Sequence, residues 1–232
     1  MIDVSQAENQ ILSVANFRDF VETPFSGKIN AICWTRKLQG DFLEIVNKIA
    51  TSKNITVVSQ EELCGLELSE EGQLAREIIL NDLDLLTAHG AAPTLNVIKN
   101  YDRDDDTPFF PTDVYSFHID RSPIPLDTIL CTYSGDSSEI LPNSQCQKKI
   151  DIPEIREAIK KAFLGDEKDF ETFLAEHFLD LHYQPKPNAV PISTGVGHLW
   201  RLAIDHPESQ VLPCIHRAPV ETFGQKRLLL IC

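Results

Sequence analysis

Two short stretches hold the residues best suited to chemistry: Phe117-His118-Ile119-Asp120 and, near the C-terminus, Ile215-His216-Arg217. Extended backbone turns successive side chains to opposite faces, so residues two apart share a face. With the chain extended from Ser116 to Arg121, His118 and Asp120 project into the same cavity. A second imidazole from a distant strand, His216, completes a set of two histidines and one carboxylate. Such a set fills three positions on one side of an octahedral Fe(II) and leaves the others open for substrate and oxygen. His198, in Gly195-Val-Gly-His-Leu-Trp, is the rival third ligand, but it lies earlier and lacks a cation-headed strand behind it. His89, His177, His182 and His206 sit where a helix end, helix packing or an exposed turn accounts for them.

The surrounding chain must position that set. Asp127 to Gly135 and then Ser138 to Pro142 read as strand, turn and strand, with Tyr133 a candidate lining group or an ordinary buried tyrosine. The stretch after His216, with a turn at Gly224 and the apolar run Leu228 to Ile231, reads as a hairpin. In the N-terminal half, residues 5–21 suggest a short helix, and Ile29 to Trp34 and Ile55 to Val58 read as strands, the latter buried. Helices are expected from Asp41 to Ala50 and from Ser69, a suitable N-cap, to about His89, with Gly90 as the stop. Two helices within about 152–184, the first opening near Pro153 and the second spanning Asp169 to His182, fill the long interval between Asp120 and His216. They read as an insertion bordering the site. The Asp102–Asp106 cluster lacks EF-hand spacing and reads as a solvated turn.

At 232 residues, 42% of them hydrophobic, the chain suits one large domain or a core with a cap. The expected division is a supporting region at 1–93 and a core at 94–232. A net charge of −14 disfavours nucleic acid and anionic membrane surfaces as partners. No apolar run approaches the roughly 20 residues that span a bilayer, and Met1 to Glu8 lacks the pattern of a secretory leader. The six cysteines show no C-x-x-C pairing, so a zinc site of that spacing is not expected, and a reducing, cytoplasmic location is.

The ordered series His118-x-Asp120, a Thr-rich strand ending near Tyr133, and His216 followed about ten residues on by Lys226 and Arg227 resembles the Fe(II)/2-oxoglutarate-dependent oxygenases, particularly their prolyl-hydroxylase-like branch. The resemblance covers about residues 95–232. It implies an α+β chain with a double-stranded β-helix (jelly-roll, cupin-like) core. It also implies Fe(II) on His118, Asp120 and His216, and 2-oxoglutarate held by Arg227 or Lys226 with Tyr133 and Thr128 nearby. The implied reaction is hydroxylation of a protein side chain or small metabolite. Arg227 is preferred over Lys226 because a planar guanidinium grips a carboxylate with two hydrogen bonds. Ala31-Ile-Cys-Trp-Thr-Arg and Cys131-Thr-Tyr-Ser-Gly also resemble a bacterial family without assigned function. A cupin-like metalloenzyme without 2-oxoglutarate and a non-catalytic metal-binding or sensory module are the alternative readings.

Overall fold

The computed structural model describes residues 10–104 and 108–232. Seven strands hydrogen-bond into one sheet in the order β1 (Ile11–Val14), β2 (Ala31–Trp34), β10 (Leu199–Ala203), β5 (Asp127–Ser134), β12 (Arg227–Ile231), β4 (Thr94–Ile98) and β3 (Ile55–Val58). Its central strands are apolar nearly throughout because both faces are covered. On one face, α2 (Phe42–Lys48), α3 (Gln60–Gly65) and α4 (Glu70–Ala88) bury Phe42, Ile45, Leu63, Ile79 and Leu86 in a cluster with Ile129, Cys131, Leu228 and Leu230. On the other, Leu130, Trp200, Leu202 and Leu229 pack with Ile140 of a second sheet and with Cys214, just ahead of it.

That second sheet runs β11 (Ile215–Arg217), β6 (Glu139–Leu141), β9 (Ile192–Ser193). Against the free side of β11 lies the extended segment around His118, whose backbone exchanges both hydrogen bonds with His216 at 2.9 Å. Beyond it, Ile119 N–H donates to Leu181 and Tyr183 N–H to Phe117, joining β7 (Cys146–Lys148) and β8 (Tyr183–Pro185) to the layer. From β4 onward the chain therefore passes repeatedly between sheets: β4 in the first, the His118 segment in the second, β5 back, β6 and β9 across, β10 back, β11 across and β12 back.

Local chemistry accounts for several of these elements. Asp41 caps α2 by accepting from the Glu44 N–H, and Ser69 caps α4 by accepting from the Gly72 N–H. Gly90, at φ +94°, permits the stop after α4. Between β7 and β8 stand α5 (Pro153–Ala162) and α6 (Phe170–Glu176), which share an apolar cluster with Phe110, Ile150 and Leu179.

Several sequence expectations need correction. Ile11–Val14 is a strand rather than part of a helix, because it pairs in parallel with β2; the helix, α1 (Phe17–Glu22), follows it. The stretches flanking Gly224 are not a hairpin: β11 pairs with β6, and β12 with β4 and β5. The strand, turn and strand expected from Asp127 to Pro142 are present as β5 and β6, and the chain changes sheets at Gly135 between them. On the outer edge, β3 leaves Ile55 and Val57 exposed. The second insertion helix stops at Glu176, well short of His182. The reading of Met1 to Glu8, and the Asp105 and Asp106 portion of the charged turn, lie outside the described residues. Among the described residues, no helix is long and apolar enough to cross a membrane.

Candidate metal centre

The two-sheet arrangement brings His118, Asp120 and His216 together, their ligand atoms all within 4.8 Å of one another. His118 Nε2 lies 3.9 Å from Asp120 Oδ1, and His216 Nε2 lies 3.5 Å from Asp120 Oδ2. Neither approach makes a hydrogen bond. Around an ion with bonds of roughly 2.1 Å at right angles, ligand atoms would stand about 3 Å apart, so a small side-chain movement closes the set.

The protonation states suit a cation. His118 Nδ1–H donates to the Ser116 carbonyl at 2.7 Å, and His216 Nδ1–H to the Cys214 carbonyl at 3.3 Å, which leaves both Nε2 lone pairs facing the site. Burial, and then neighbouring His216, hold the His118 imidazole down to about 4. Burial pushes the Asp120 carboxyl up, but His216, the Thr128 hydroxyl and His118 together bring it below its usual value. At neutral pH the set offers a neutral His118 imidazole and an ionised Asp120 carboxylate, the forms that ligate metal. The Asp120 side chain is 35% exposed against 15% for His118 and 10% for His216, so the site opens on the Asp120 side.

Supporting contacts come from all around. The Thr128 hydroxyl donates to Asp120 Oδ2, so Thr128 orients the carboxylate. The buried Lys149 ammonium donates to Ser116 Oγ at 2.8 Å, anchoring the residue whose carbonyl holds His118. His182, buried at the end of the insertion, sets its ring 5.9 Å from that of His118. Arg121, next to Asp120, pairs with Asp180 of the insertion and with Asp205, so the insertion borders the extended segment that carries His118 and Asp120.

Arg227 enters the space between the sheets from the start of β12, 4% exposed. Its guanidinium donates to Thr132 Oγ1 and Ser138 Oγ, each at 2.8 Å, and to the Tyr101 hydroxyl at 3.4 Å. No carboxylate pairs with it among the described residues. Desolvation lowers its pKa, yet arginine remains charged even so. The hydroxyl ring of Tyr101, Thr132 and Ser138 escaped sequence reasoning. Thr132 could have been found by strand parity with Thr128, whereas Tyr101 and Ser138 come from connections whose positions only the fold supplies.

The other candidates lie elsewhere. Tyr133 is buried on the helix-covered face of β5, stacked on Phe42 and donating to Asp82 at 2.6 Å, so it does not line the site. Lys226 precedes β12, half-buried at the mouth of a crevice it shares with Arg227. His198 accepts from the Arg36 N–H at 3.1 Å and is not part of the metal-capable group. Comparison with protein-family models, with curated proteins and with solved structures finds no match for this chain.

Proposed function

We propose that the chain is a non-haem Fe(II)- and 2-oxoglutarate-dependent oxygenase, and that its alternating strands form a double-stranded β-helix. The strand order supports the fold reading: β4, β12, β5 and β10 adjoin in one layer, and the His118 segment, β11, β6 and β9 in the other. The observation that carries the function is Arg227. A fully buried cation without a counter-ion is costly, and here it is ringed by hydroxyls in the inter-sheet space that also holds the triad. A carboxylate arriving with a ligand would complete that pocket by a bidentate, charge-assisted pairing.

His118, Asp120 and His216 would hold the iron, and Arg227 with Tyr101, Thr132 and Ser138 would take the distal carboxylate of 2-oxoglutarate. Bound iron would supply oxygen activation, coupling decarboxylation of 2-oxoglutarate to succinate and CO2 with hydroxylation of a substrate C–H bond. The protein fixes the carboxylate ligand through Thr128, presents both imidazoles in the correct tautomer, and excludes water with Leu130, Ile140 and Leu229. The net charge of −14 favours a protein side chain or small metabolite over nucleic acid as substrate. Anaerobic addition of 2-oxoglutarate to the Fe(II)-loaded protein is expected to produce a weak visible charge-transfer band. Bound iron with no such band would point instead to a metalloenzyme that does not use 2-oxoglutarate.

A further inference from the structure

Arg227 has a potential partner within its own chain. Glu221, on the connection between β11 and β12, lines the same crevice as Arg227, Tyr101 and Lys226. A carboxylate so placed would ordinarily neutralise a buried guanidinium, yet the partners of Arg227 are hydroxyls. Glu221 is engaged instead by two tyrosines. Its Oε1 accepts from the Tyr115 hydroxyl and from the Tyr101 N–H, the latter at 3.2 Å. The tyrosine rings meet edge to face with centroids 5.9 Å apart, and the Arg103 guanidinium lies 3.4 Å over the Tyr115 ring. The Tyr101 hydroxyl accepts from Arg227 Nη1 at 3.4 Å, so one tyrosine touches Glu221 through its N–H and the guanidinium through its hydroxyl oxygen.

We propose that Tyr115 restrains Glu221 as an internal competitor, keeping Arg227 open to an external carboxylate. This rests on the reading that Arg227 receives the distal carboxylate of 2-oxoglutarate. Burial, and then the bond to Glu221, push the Tyr115 hydroxyl up to about 12, so it stays protonated as a donor across the physiological range. Without that donor, Glu221 keeps only the Tyr101 N–H, and its side chain is free to turn toward Arg227. Apparent affinity for an external ligand then falls in proportion to the fraction of molecules in which Arg227 remains unpaired.

The test is anaerobic titration of Fe(II)-loaded protein with 2-oxoglutarate in four variants. Tyr115→Phe removes one hydroxyl and is expected to weaken binding roughly tenfold, which requires Glu221 to occupy Arg227 in about nine molecules of ten. Glu221→Gln is expected to bind as tightly as the native protein or more tightly. The double variant is expected to recover the native affinity, a rescue that a packing role for Tyr115 would not produce. A normal affinity in Tyr115→Phe, or a double variant as weak as Tyr115→Phe, would overturn the proposal. So would a tenfold loss in Glu221→Gln, a result that does not depend on Tyr115→Phe folding. Arg227→Ala separates the two layers: if native protein binds no better than that variant, the cosubstrate reading fails and takes this inference with it.

Discussion

The three residues that could hold a metal ion are oriented by their own neighbours. Each imidazole is committed at Nδ1 to a backbone carbonyl, and the Asp120 carboxylate is held by Thr128. Asp120→Ala is therefore expected to abolish tight Fe(II) binding, read by elemental analysis, with an unchanged circular dichroism spectrum. Thr128→Val keeps the side-chain shape and removes the hydroxyl, and metal affinity should fall about tenfold, the lower end for loss of a ligand's supporting bond. Stability carries its own signature. Unfolded histidine titrates near 6.5, whereas burial holds His118 and His182 down to about 4. Between these values the unfolded chain binds more protons, so the contribution of these two histidines to the stability of the metal-free protein is fully present above 6.5 and is lost as pH falls toward 4. Urea midpoints that stay flat over that window would contradict the buried, neutral assignment. The spacing of His118 and Asp120 was legible in the sequence because strand alternation is a local rule. The same rule sets Tyr133 apart, since it shares a face with Ile129 and Cys131 rather than with Thr128 and Thr132.

At the scale of elements, helix boundaries followed from caps: Asp41, Ser69 and Gly90 each mark an end that the structure keeps. Strand pairing was less legible, because hydrophobic pattern reports burial and not partners. The apolar run of β12 reads equally well as half of a hairpin or as the centre of a sheet, and long-range contacts with β4 and β5 decide it. Likewise Ile11–Val14 became a strand through its pairing with β2. Tertiary ties also place the strand that carries His216. Asn30, buried at the start of β2, donates through Nδ2 to Asn143 Oδ1 at 3.0 Å and to the Leu212 and Pro213 carbonyls at 2.9 and 3.2 Å. Asn30→Ala takes the donor from Asn143 Oδ1 and the Leu212 carbonyl, while the Pro213 carbonyl keeps Asn143 Nδ2 at 3.1 Å, and should cost about 1–3 kcal/mol, measured as a lowered urea midpoint. A smaller loss would mean that water replaces the amide.

The whole molecule assembles its candidate site from segments far apart in sequence: the His118 segment and β11 on one sheet, β12 and β5 on the other, and Tyr101 and Ser138 from connections. That dispersal explains why the triad and Arg227 could be anticipated while the hydroxyls around Arg227 could not. It also makes the two halves separable by mutation, since the hydrogen bonds of Arg227 go to Thr132, Tyr101 and Ser138 and not to His118, Asp120 or His216. The most direct measurement titrates 2-oxoglutarate anaerobically into Fe(II)-loaded native protein and Arg227→Ala, with iron content determined on the same samples. The account predicts equal iron in both, a visible charge-transfer band in the native protein, and at least roughly tenfold weaker 2-oxoglutarate binding in the variant, equivalent to about 1.4 kcal/mol. Equal iron with the same 2-oxoglutarate affinity in both proteins would contradict it.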